Sequence, residues 1–62
     1  MGFKKYSDAA SAERMIEKII DGEIASDGTA YRELQTIASE WKGTYIGDRA
    51  QYLIDNYYAD WK

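Results

Sequence analysis

The chain has 62 residues, 45% of them hydrophobic, with 8 Lys and Arg against 11 Asp and Glu for a net charge of -3. A chain of this length buries only roughly 60% of the surface its unfolded form exposes, so a single domain around one thin core is expected. Cysteine and histidine are both absent, which excludes disulfide staples and thiolate metal sites and removes the commonest general base and transition-metal ligand.

Residues 1–6 include Lys4 and Lys5 and carry +2. They read as a partly ordered N-terminal arm, with Phe3 or Tyr6 placed to cover one end of a domain formed by residues 7–62. No longer stretch is basic: residues 7–22 and 23–29 each carry -2, 30–42 are neutral and 43–62 carry -1. That distribution argues against a phosphate-binding surface, because Lys and Arg supply most non-specific affinity for nucleic acid. Aliphatic residues never run more than two together, as at Ile19-Ile20, far short of a membrane span or a signal-peptide core. A soluble, cytoplasmic protein is the expectation.

The first helical pattern places Ala9, Ala12, Ile16, Ile19 and Ile20 on one face with Met15 on its flank, and Ser7 or Asp8 is a suitable cap. Gly22 supplies the stop, so a helix over 8–21 is predicted. The following link, Gly22 to Gly28, contains Ser26 and Asp27, whose oxygens can cap the next helix. Its carboxylates and glycines lack the spacing of a calcium loop and read as an interhelical turn.

In the second pattern Ala30, Leu34, Ile37, Ala38 and Trp41 form an apolar stripe, and Lys42-Gly43 makes a good ending, predicting a helix over 29–42. The third stripe runs Ala50, Leu53, Ile54, Tyr57, Tyr58 and Trp61. Asp48 with Gln51 after Gly47 has the form of a capping box, predicting a helix over 48–61. Three amphipathic helices on short links shield their stripes only by packing together, so the expected fold is all-α, a small three-helix bundle.

Six of the nine aromatic residues fall between Trp41 and Trp61, more than a small core readily holds. At about 100° per residue, Tyr57 and Trp61 point to the core, Tyr58 lies at the edge and Tyr52 nearly opposite. Trp41 and Trp61 read as anchors closing their stripes, unless one of them sits in an oligomer interface. Tyr52 has two readings: a first-turn contact on the Tyr45-Ile46 link, or, with Tyr45, an exposed patch of a residue type enriched at interfaces. Tyr31 and Tyr58 sit on helix flanks and could join it.

Residues for catalysis are scarce, since a Ser, Tyr or Lys nucleophile would stand without a recognisable partner. Glu13 and Glu17 share a face, but Arg14 and Lys18 interleave with them, as on a solvated salt-bridged surface. No enzyme activity, cofactor or metal is expected. A helix-turn-helix is the rival reading, with Arg49, Gln51 and Asn56 of the third helix offered to bases and Lys4 and Lys5 to phosphates. Asp48 and Asp55 would then face phosphates, and the link Gly43 to Gly47 is longer than the usual turn. The leading expectation is a non-catalytic helical module that binds another protein or itself through Tyr52, Tyr45, Tyr58 and Tyr31. Its role would be that of a small accessory or regulatory factor, of the kind phages and other mobile elements encode.

Overall fold

A computed structural model describes residues 4–61. Helix α1 spans Ala9–Ile20, α2 spans Asp27–Glu40 and α3 spans Tyr45–Tyr57, and a single 3-10 turn, Ala59–Trp61, follows. The fold is an all-α three-helix bundle, in agreement with the periodicity. Each helix begins where a side-chain oxygen accepts an otherwise orphaned amide. The Ser11 N–H donates to Asp8 at 2.8 Å, the Thr29 N–H to Ser26 at 3.4 Å and the Gly47 N–H to Thr44 at 3.3 Å.

α1 lies within a residue of its expected bounds at either end, because both of its signals are local. After Asp21, Gly22 adopts φ +78 and donates to the Ile19 carbonyl at 3.1 Å, while the Glu23 N–H reaches Lys18 at 2.9 Å. This is a complete Schellman ending, open to glycine at little steric cost. α2 starts two residues earlier than predicted, since Ser26 caps it and Asp27 already occupies the first turn, where a carboxylate suits the helix dipole.

The start of α3 differs more. Thr44, not Asp48, is the cap, and Gly47 lies inside the first turn instead of preceding it. The reason is a close approach: a Cβ on Gly47 would stand 2.7 Å from the carbonyl carbon of Trp41 and nearer still to its oxygen. The glycine therefore lets two helices meet. The link is the four residues 41–44, closed by the Thr44 N–H donating to Trp41 at 3.1 Å with Gly43 at φ +87.

α2 and α3 form an antiparallel hairpin with the most extensive contact in the molecule. α1 lies along it in the direction of α3, because Glu13 meets Tyr45 and Glu17 meets Arg49, both 32 residues apart. Ile16, Leu34, Ile37 and Ile46 are completely buried, with Ala12, Ala50, Leu53 and Ile54 around them. Trp41 packs against this core from its margin.

Three residues expected in the core are not in it. Tyr57 is 71% exposed and Trp61 51%. α3 stops at Tyr57, and the 3-10 turn brings the Trp61 ring over Gly28 and to 6.0 Å from Tyr31. Ile20, expected on the buried face of α1, is likewise exposed.

The segment before α1 is held by side chains 27 to 35 residues away in sequence. Glu40 accepts the Lys5 and Tyr6 amides at 2.7 and 2.9 Å, and the Trp41 indole N–H donates to the Tyr6 carbonyl at 2.9 Å. Tyr6 is only 6% exposed, with its hydroxyl donating to Glu33, whose other oxygen takes Lys5 Nζ at 2.6 Å. Tyr6 thus serves as core, in keeping with its expected covering role. Phe3 lies outside the described residues.

Candidate protein-docking groove

The 32-residue offset between α1 and α3 sets Ile20 level with Tyr52. α1 ends there, whereas α3 continues to Tyr57. The last turn of α3 accordingly projects an apolar edge past the end of α1. Between the two parallel helices lies a groove of about 790 Å³. Ile19 and Ile20 form one wall, and Tyr45, Tyr52, Leu53, Tyr57 and Tyr58 the other, with Asp48 and Arg49 among the lining residues.

Tyr45 and Tyr52 are 62% and 60% exposed. Tyr45 lies on the first turn of α3, not in a link before it, and its hydroxyl donates to Glu13. That hydrogen bond is the main reason its phenol is pushed above the ordinary value, with some desolvation adding to it. Tyr45 and Tyr52 are two turns apart on one helix and both line the groove.

The four expected contact residues fall into two adjoining groups. Tyr45, Tyr52 and Tyr58 line the groove, whereas Tyr31 lies beyond Tyr58, its ring 6.2 Å from that of Tyr58 and 6.0 Å from Trp61. Tyr58 joins the two groups. Burial first, and then the Asp27 charge, push its phenol upward. The sequence reading missed Tyr57 and Ile20 as groove residues, since both fall on the stripe that periodicity assigns to the core. No local signal was available: α1 and α3 have nearly equal lengths, 12 and 13 residues, and the overhang comes from their stagger in the bundle.

Glu17 sits on an exposed, salt-bridged face, as expected, though its partner is not on α1. The partners of Glu13 and Glu17 lie across the helix pair on α3, with Arg49 Nη2 donating to Glu17 at 3.3 Å and Tyr45 to Glu13. This ties the two walls of the groove together. Among the described residues no cluster of three or more His, Cys, Asp or Glu is gathered for a metal, and no helix is long and apolar enough to cross a membrane.

The residues of the DNA-binding reading are dispersed. Arg49 lines the α1–α3 groove, while Gln51 lines a second groove of about 530 Å³ between α2 and α3. Gln51 donates to Asp55 at 3.0 Å and Asn56 to the Tyr52 carbonyl at 2.8 Å. Lys5 is engaged with Glu33, and Lys4 Nζ lies 4.8 Å from the centre of the Trp41 ring. The four-residue link 41–44 removes the objection that the turn is too long for a helix-turn-helix.

Comparison with protein-family models, curated proteins and solved structures finds no match to the chain.

Proposed function

We propose that the protein is a small, non-catalytic interaction module that binds another protein through the groove between α1 and α3. The observation that carries this reading is the exposure of Tyr45, Tyr52 and Tyr57 along one edge of α3, beside the exposed Ile20. A single surface aromatic is ordinary. Several lining one concave apolar surface have the composition of an interface centre, where Tyr is enriched and supplies contact area at low entropic cost. Tyr31 and Trp61 adjoin the groove through Tyr58 and can extend the contact.

The second reading, a DNA-binding helix pair, draws support from the short link but requires Arg49, Gln51 and Asn56 to leave their present partners. Affinity capture from the native host separates the two. The wild-type chain should retain a partner protein that the Tyr45→Ala/Tyr52→Ala double variant loses, with nearly unchanged thermal melting. Retention of the same protein by the double variant, or binding of duplex DNA that falls steeply as salt rises, would contradict the proposal.

A further inference from the structure

We infer that the occupant of the α1–α3 groove is a basic amphipathic helix of another protein, seated as a fourth helix along α1 and α3. The inference rests on the proposed docking role and specifies what docks. Its shape comes from the walls. The backbones of α1 and α3 satisfy their own amides and carbonyls within their helices, so an extended peptide finds no edge to pair with. A helix, which satisfies its own backbone, needs only the apolar contact. From Tyr45 to Tyr57 the groove follows α3 for about 18 Å, the length of about three helical turns.

The sign of the partner's charge comes from the rim. Asp48 lines the groove, Glu13 is bound to a lining residue and Glu17 is paired with Arg49. Three carboxylates therefore stand against the one guanidinium of Arg49. A second copy docked face to face would set those carboxylates against the same three, with one arginine on each side, and like charges brought together are costly. Lys4 and Lys5 of a second copy are unsuitable donors, as they are committed to Trp41 and Glu33. A helix with apolar residues at i, i+3 or i+4, and i+7, flanked by Lys or Arg, matches both the walls and the rim.

The test uses a displayed library of helical peptides about 14 residues long, randomised at every exposed position and selected on the full chain. The expected clones carry the apolar spacing and a net positive charge. They should bind the Tyr57→Ala protein at least about tenfold more weakly and Asp48→Lys several-fold more weakly, with the melting of Tyr57→Ala preserved and that of Asp48→Lys lowered only by the lost carboxylate in the first turn of α3. Enrichment of neutral or acidic clones that still depend on Tyr57 would overturn the basic-helix inference and leave the docking surface standing. So would self-association in light scattering that Tyr52→Ala abolishes. A selection whose clones all bind Tyr52→Ala and Tyr57→Ala like the wild type would overturn both, and so would one that enriches nothing.

Discussion

A methyl group at position 47 has nowhere to go, because its nearest neighbours are the carbonyl group of Trp41 and, at 3.1 Å, the amide nitrogen of Lys42. These are backbone atoms of the tight α2–α3 link and cannot rotate aside. Gly47→Ala must therefore lift α3 off the end of α2 and disturb Ile46 and Ala50, both buried. The helix propensity of alanine favours the substitution by up to about 1 kcal/mol, but the steric strain outweighs it. A net loss of about 1 to 3 kcal/mol is expected from urea denaturation. Gain of stability on this substitution would show that the helices are not in that contact.

At the scale of elements, the N-terminal segment is a strap whose strength depends on ionisation. Burial opposes ionisation of Glu33, but hydrogen bonds from Lys5 and Tyr6 and the charges of Lys5 and Arg32 outweigh it and hold its carboxyl below the ordinary range. Glu40 is lowered by the Tyr6 and Lys5 amides, and Asp8 by the Ser11 amide it caps. Each contributes stability above the unfolded carboxylate pKa of about 4, lost as pH falls through the lower folded value. Tyr6 runs the other way. Burial first, then the hydrogen bond to Glu33 and the charges of Glu33 and Glu40, raise its phenol, so its contribution is present below about pH 10 and lost above it. Urea midpoints should form a plateau from about pH 5 to 9, falling on both sides, and Tyr6→Phe should shrink the alkaline fall. An alkaline fall unchanged by Tyr6→Phe would contradict this account of the strap.

The same elements show where sequence is informative. The cap at Asp8, the stop at Gly22 and the stripes through Leu34, Ile37, Leu53 and Ile54 are legible because each depends on neighbours within a turn or two. Gly47 misleads because a glycine that ends a helix and one that permits close approach look alike in sequence. The Thr44 cap is overlooked for the same reason. Tyr6 and Glu33 find each other across 27 residues, beyond any local pattern. The groove itself was half legible: Tyr52 breaks the stripe and Tyr45 stands in the expected link, so both stand out, while Tyr57 and Ile20 obey the stripe. Their exposure follows from where α1 ends relative to α3, a property of the assembled bundle.

For the whole molecule, the core runs from Tyr6 and Ile46, at the end of the bundle that holds the 41–44 link, to Ile54, and the last turn of α3 extends past it. A chain this small has only a few kcal/mol of net stability, yet it leaves large apolar side chains on one edge instead of extending α1 to cover them. Binding there at a ligand concentration of 100 times Kd would add about 2.7 kcal/mol, a sizeable share of that stability. The folding core ends at Ile54, and Tyr57, on the same stripe, lies outside it, exposed on the edge proposed for docking. Urea denaturation of Tyr57→Ala without any ligand tests this boundary most directly. A change within about 0.5 kcal/mol is expected, as for an ordinary surface substitution. A loss of about 3 to 5 kcal/mol, the cost of removing a buried aromatic ring, would place Tyr57 in the core and contradict it.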